Sequence, residues 1–400
     1  MEPCPALSLQ PFARNGPRNP FKTNQDQKIM LIGVPREIKR HEYRVGLTPG
    51  SVRECVVHGH QVLVESGAGA GIGASDAAYE AAGAQIAADA ATVFARADMV
   101  VKVKEPQAPE WAMLREGQIL FTYLHLAPDP DQAHGLIASG CTAIAYETVT
   151  DAAGQLPLLA PMSEVAGRIA IEAAGQALRR HAGGMGLLLG GVPGVKPARV
   201  VVIGGGVVGT QAARMAVGLG AEVTIIDRSL PQLRRLDDLF GGRVRTRASG
   251  RAVLEEELAA ADVVVGAALV AGASAPKLIT RADLALMTPG AVIVDVAIDQ
   301  GGCAETSRPT THDEPTYEVD GIIHYCVANM PGAVPRTSSA ALNNATLPYV
   351  LALANHGLDA LHRDAGLRAG LNVHRGQLTY AAVGAALGLP HIDPLAALAG

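Results

Sequence analysis

The apolar run Val200, Val201, Val202 and Ile203 enters Gly204-Gly205-Gly206-Val207-Val208-Gly209, and the next apolar run, Glu222 to Ile226, closes on Asp227. Strand, glycine turn, helix, strand and acid in this order constrain the chain more than its composition does. Gly204 permits the tight turn, Gly206 lets a pyrophosphate approach the backbone, and Gly209 lets the helix pack closely on the strand. A diphosphate then sits on the free N–H groups at the helix start, where the helix dipole favours negative charge. Asp227 lies where a carboxylate accepts hydrogen bonds from an adenine ribose, which favours NAD over its 2'-phosphorylated relative. Arg228 tempers that preference, because a neighbouring arginine can serve a 2'-phosphate. The bland alternative is an alanine- and glycine-rich helix on a sheet with no ligand; the full context of the turn favours the dinucleotide.

A glycine fingerprint normally opens its domain, and here it stands halfway along 400 residues, so the first half must form a unit of its own. From Met30 onward short apolar runs alternate with helix-like segments. The expected strands are 30–34, 61–65, 98–104, 118–123 and 142–147, then runs near Val200, Val223, Val244, Val263 and Val292. The expected fold is therefore α/β: two doubly wound, Rossmann-like domains with mainly parallel sheets, joined by helices across a cleft. A helical pattern over 163–181 bridges them. After Pro335 the texture is helical and cannot easily extend the cofactor sheet. The expected division is 30–157 with 336–400 as a discontinuous substrate domain and 158–335 as the NAD-binding domain. Residues 1–29, rich in Pro, Asn and Arg, read as a disordered extension or an artefact of start-site choice.

A net charge of −5 without a basic stripe speaks against nucleic acid, and no apolar run nears the roughly eighteen residues that cross a bilayer. Five cysteines without metal-type spacing read as reduced, mostly buried thiols of a cytoplasmic protein; no metal is expected. No serine-hydrolase elbow, zinc-binding His pair or nucleotide-hydrolysing P-loop is present.

Open parallel sheets bind ligands beyond the carboxyl ends of their strands, which directs attention to Lys104, His125 and Asp299, each just past an apolar run. A cation, a proton carrier and a carboxylate facing one cleft suit redox chemistry at a carbon bearing an amine. By type alone any of the twelve histidines is more often structural. Lys104 reads equally as a solvated strand end, on the same side as Lys102 by alternation; Asp299 could merely cap a turn. An arginine grips a carboxylate better than a lysine does. Arg44, in the polar loop after the first strand, is the best-placed candidate, with Arg36 and Arg40 competing.

Gly33-Val-Pro-Arg-Glu-Ile-Lys, Glu42-Tyr-Arg-Val-Gly-Leu-Thr-Pro, Lys102-Val-Lys-Glu-Pro, Gln118-Ile-Leu-Phe-Thr-Tyr-Leu-His-Leu-Ala, Leu158-Leu-Ala-Pro-Met-Ser-Glu-Val-Ala-Gly and Asp299-Gln-Gly-Gly-Cys resemble the NAD-dependent L-alanine dehydrogenases from Met30 to the C-terminus. The resemblance implies reversible oxidative deamination of L-alanine to pyruvate and ammonium by a two-domain subunit that closes on its substrate and assembles as a homo-hexamer. It implies that Arg44 and Lys104 bind the substrate carboxylate and carbonyl, and that His125 and Asp299 are catalytic. It also implies that Ser163, the backbone near Met162, and Asn329 contact the cofactor. The NAD-binding subunit of proton-translocating transhydrogenase has a similar architecture and is the alternative. That protein would need a membrane partner and has little use for Arg44, Lys104 and His125 together.

Overall fold

The computed structural model describes residues 29–268 and 275–399. The expected N-terminal extension, apart from Ile29, lies outside the described residues. Among the described residues fifteen strands run in chain order as β1 Leu31–Val34, β2 Gln61–Glu65, β3 Gln85–Ala87, β4 Met99–Val101, β5 Ile119–Thr122, β6 Thr142–Ala145, β7 Arg199–Ile203, β8 Glu222–Asp227, β9 Arg245–Ala248, β10 Val263–Gly266, β11 Val292–Asp295, β12 Thr316–Val319, β13 Ile322–Tyr325, β14 Leu371–His374 and β15 Gln377–Leu378.

They form two sheets, β15-β14-β6-β5-β4-β1-β2-β3 and β12-β13-β11-β10-β7-β8-β9. β1 to β6 are mutually parallel, as are β7 to β11 and β13, while β12, β14 and β15 join antiparallel at the edges. Central strands are apolar on both faces because helices cover both: Val201, Val202, Val264, Val265 and Ile293 are all buried. The two sheets repeat one order, β3-β2-β1-β4-β5-β6 and β9-β8-β7-β10-β11-β13. In each, the order reverses at one point, between β1 and β4 in the first and between β7 and β10 in the second, and a crevice forms there.

The helix Ala160–Ala177 lies between the sheets, and its buried face belongs to one hydrophobic cluster that also contains Ile32 and Val64 of the first sheet and Val200 and Val202 of the second. Small side chains allow this. A methyl group on Gly167 would run into the Val208 carbonyl of the helix Val207–Gly218. The long helix Pro335–His356 packs on the same helix and leads back to β14 and β15 in the first sheet.

Two sequence expectations are corrected. The strand expected over 98–104 stops at Val101, so Lys104 stands in a turn rather than on a strand. Lys102 and Lys104 do not share a face: Lys102 is wholly buried in ion pairs, whereas Lys104 is half-buried. The physical reason is that the Val103 and Lys104 N–H groups donate to the Glu37 carboxylate instead of to a neighbouring strand, although Val103 O still accepts from Tyr123 N. The tail likewise holds strand as well as helix.

Cys55, Cys141, Cys303 and Cys326 are free and buried, and burial raises the thiols of Cys55 and Cys303 to about 12. No helix among the described residues is long and apolar enough to cross a membrane.

Candidate active site

At the second crevice each glycine of the turn has its own reason. Gly204 has φ +105°, and a Cβ there would lie 2.7 Å from the Ala267 backbone. Gly209 packs so closely that a Cβ would fall inside the Gly204 carbonyl. Gly206 differs, since a Cβ there would meet nothing within 4 Å. It is the N-cap of the helix Val207–Gly218 with no side chain capping the first N–H groups. Open space in front of uncapped donors is a cradle that a phosphate fills. Asp227, at the end of β8, accepts from Gly205 N at 2.7 Å and Ser229 N at 2.8 Å. Each carboxylate oxygen keeps a lone pair for a ribose hydroxyl. Arg228 is exposed. These residues fit an NAD molecule.

At the first crevice, between β1 and β4, the architecture is ionic. The Arg44 side chain is only 2% exposed, and its fork grips Glu42: Nε donates to Oε1 at 2.7 Å and Nη2 to Oε2 at 2.5 Å. Nη2 also donates to Asn329 Oδ1 at 2.7 Å, Nη1 reaches Met162 Sδ at 3.0 Å, and Asn329 Nδ2 donates to Glu42 Oε2 at 3.0 Å. Burial pushes the Glu42 carboxyl up, but the Arg44 hydrogen bonds and charge more than reverse this and hold it below its ordinary value. Asn329 sits at φ +65°, uncommon for a residue with a side chain and a sign of local strain held by its surroundings. Arg44, Met162 and Asn329 thus come together from the first sheet, the bridging helix and the segment after β13. Arg36 and Arg40 differ from Arg44 in exposure: their side chains are 59% and 74% exposed, Arg36 lying near Glu65 and Arg40 pairing with Asp313. Beside Arg44 a cavity of about 430 Å³ is lined by Arg36, Lys39, His41 and Arg44 together with Glu37 and Glu42.

His125 follows β5 and holds φ +50°. The Glu147 carboxylate accepts from His125 N at 2.6 Å and from Leu124 N at 3.1 Å, and its oxygen stands 4.0 Å from His125 Nδ1. The imidazole stacks on Tyr123 with centroids 5.9 Å apart, leaving its face and outer nitrogen accessible. Tyr123 is buried, donates to Leu158 O at 2.6 Å, and has its hydroxyl pKa raised by burial against the pull of nearby Arg44. His125 thus stacks on a ring whose hydroxyl lies within the influence of the Arg44 charge. The Lys104 ammonium has no hydrogen bond or ion pair among the described residues, so its three donors are available. Burial raises Glu105, but Lys104 and then Lys39 bring its carboxyl below the ordinary value.

Ser163 is half-buried in the first turn of the helix Ala160–Ala177, next to Met162. Asp299 makes no direct link to these residues. It is exposed in the one-turn helix Val296–Gln300, and no hydrogen bond or ion pair joins it to Arg44, Lys104 or His125 among the described residues. The acid that ends β11 is Asp295, wholly buried on Cys303 N at 2.7 Å and Ser307 Oγ at 2.5 Å.

Sequence reasoning missed Glu42, Tyr123 and Glu147, and it missed Glu37 with Lys102. Glu42 was within reach as the alternate residue before Arg44. Glu147 was not, because nothing in the sequence joins residue 147 to residue 125.

The sequence profile described as "Alanine dehydrogenase/PNT, N-terminal domain" matches residues 33–166, and that described as "Alanine dehydrogenase/PNT, C-terminal domain" matches residues 170–381. The alanine dehydrogenase of Halomonas elongata is 60% identical over 365 residues, 91% of this chain and 98% of that protein. A solved L-alanine dehydrogenase superposes with a TM-score of 0.87 at 53% identity, covering 90% of this chain and 99% of that one. A transhydrogenase from Sinorhizobium meliloti superposes with a TM-score of 0.75 at 25% identity, covering 88% and 99%. With both halves matched by their profiles and the fold shared along almost the whole length, the chain belongs to the alanine dehydrogenase/PNT family.

Proposed function

We propose that this protein is an NAD-dependent alanine dehydrogenase, converting L-alanine, NAD and water reversibly into pyruvate, ammonium, NADH and a proton. The observation that carries the reading is the buried Arg44, held by Glu42 from its own loop and by Asn329 from the other sheet's unit. A small carboxylate bound there sits where residues of both units converge. Arg44 anchors the substrate carboxylate through its charge and the planar geometry of its guanidinium. Lys104, with its free ammonium, stabilises the negative charge on the substrate's carbonyl oxygen. His125, an imidazole able to accept and donate a proton, moves the proton between substrate and solvent. Asp299 orients the water or ammonia that attacks the substrate carbon. Gly204, Gly206, Gly209, Asp227, Ser163 and Asn329 would hold NAD, which would supply the hydride acceptor.

In this reading 30–157 with 336–400 and 158–335 are two domains that close on the substrate, six subunits assemble, and the enzyme works in the cytoplasm. The free buried thiols favour such a reducing compartment. The transhydrogenase alternative has the weaker support, 25% identity against 53% for the solved dehydrogenase.

The test is to incubate purified protein with NAD and each small amino acid and to follow NADH appearance, then to repeat it with His125→Ala. L-Alanine is expected to give the fastest turnover. The variant should bind NADH normally while turnover falls at least about a hundredfold. Near-normal turnover of the variant would remove His125 from the mechanism, and no response to L-alanine would refute the function.

A further inference from the structure

Three charged side chains lie fully inside the first unit. Lys102 Nζ donates to Glu37 Oε2 at 3.0 Å and to Glu110 Oε1 at 2.8 Å, and none of the three side chains exceeds 2% exposure. Two carboxylates share one ammonium. Burial pushes the Glu37 carboxyl up against the pull of Lys102, and the carboxylates raise Lys102 to about 12 although burial opposes them. Apolar residues of similar volume often stabilise a core as well or better than such a cluster, so stability alone explains it poorly.

What the cluster joins is more informative. Glu37 belongs to the loop after β1 that carries Arg44. Its second oxygen accepts from Val103 N at 2.6 Å and, more weakly, from Lys104 N at 3.4 Å. Glu110 Oε2 in turn accepts from Gln107 N at 2.7 Å, closing the same turn on its far side. β1 and β4 pair in register, Ile32 opposite Met99, and this fixes the strands. Lys104 stands three residues beyond β4, its carbonyl accepting from Thr122 Oγ1 at 2.9 Å, and Arg44 stands ten beyond β1, both outside the β1–β4 ladder. The Glu37 carboxylate is the buried tie between these two loops, beside the more exposed Lys39–Glu105 ion pair.

We infer that Glu37 is a positioning residue that fixes the spacing between the Arg44 guanidinium and the Lys104 ammonium, and so matches the site to an acid whose carbonyl adjoins its carboxylate. Lys102, held by Glu110, anchors Glu37 in that role. The inference rests on the alanine dehydrogenase reading above, in which those two cations bind one substrate.

The test is a double-mutant cycle read in reductive amination of pyruvate by NADH and ammonium, using wild type, Glu37→Gln, Lys104→Ala and the double variant, with NADH affinity measured separately. Glu37→Gln is expected to raise KM for pyruvate about tenfold while kcat stays within about threefold and NADH affinity does not change. In the Lys104→Ala background the same change should lower kcat/KM by less than about twofold, because the group being positioned is gone. Lys102→Met, which removes the anchor but leaves Glu37, should raise KM in the same way and serves where Glu37→Gln fails to fold. If Glu37→Gln multiplies the Lys104→Ala defect by its full factor, or lowers kcat, NADH affinity and thermal stability together, the role is only structural and the inference falls. An active wild type with additive variants overturns this inference alone, whereas a wild type that does not turn over pyruvate overturns the functional reading and takes the inference with it.

Discussion

The turn after β7 and the loop after β1 occupy equivalent places in the two sheets, each leaving the strand at which the order reverses, yet they are shaped by opposite means. The first is shaped by missing side chains: Gly204 and Gly209 have no room for a Cβ, and Gly206 leaves open space in front of helix donors. The second is crowded with charge, Arg44 against Glu42 and Lys102 against Glu37 and Glu110. A diphosphate carries its own charge and needs only exposed N–H groups. A three-carbon acid offers few atoms, so the protein must supply ionic groups already desolvated and aimed. The comparison teaches that binding a large cofactor and binding a small substrate place different demands on the same topology.

The sharpest way to break this comparison is Arg44→Lys. The charge survives, so a site that needed only a cation would hardly notice. The fork does not survive, and with it go the paired contacts to Glu42 and the bond to Asn329. Turnover efficiency with pyruvate should fall by about two to three orders of magnitude, with NADH affinity unchanged. Steady-state kinetics beside a direct NADH titration decide it, and a loss below about tenfold would mean that charge without geometry suffices.

The glycine side sharpens the comparison through a pair of variants. Gly206 has φ −66°, a value any residue adopts, and its Cβ position is empty. Gly206→Ala should therefore fold normally and yet weaken NAD binding by about tenfold, since the methyl group occupies the approach of the diphosphate. Gly209→Ala puts the same methyl into the Gly204 carbonyl and should lower the thermal midpoint, costing about 1–3 kcal/mol of stability as overpacking does. Thermal melts with and without NAD separate the two. Equal loss of stability in both variants would show that Gly206 is a packing glycine like Gly209.

Legibility in the sequence follows the same division. The glycine turn, the alternation of strands with helices and the acid at Asp227 are local signals, and reading them needs no tertiary contact. The charged site is non-local. Arg44 could be singled out from Arg36 and Arg40 only by motif, because all three lie in one polar loop; burial, which separates them, depends on Asn329 and Met162 from distant segments. Lys104 looked like a strand end on the same side as Lys102 because alternation assumes the strand continues, whereas the strand ends at Val101 and Val103 N turns to a carboxylate from residue 37. Asp299 looked like a strand end for a related reason. The apolar run continues through Ala297 and Ile298, but the hydrogen-bonded ladder stops at Asp295.

The smallest effect is expected where the two kinds of construction meet, at the one charge in the glycine turn. Asp227 spends part of its capacity on Gly205 N and Ser229 N, so it shapes the turn whatever it offers a ribose. Asp227→Asn keeps one carbonyl oxygen for the backbone and removes the negative charge that repels a 2'-phosphate. The ratio of catalytic efficiency with NAD to that with NADP should fall by about three- to tenfold, mostly through gain with NADP, where exposed Arg228 becomes a usable partner. Comparing both cofactors on wild type and variant measures it. If wild type already uses both equally, the selecting charge is not Asp227; if the variant loses NAD efficiency without gaining NADP, the carboxylate serves the turn alone and the cofactor side is built wholly from absent side chains.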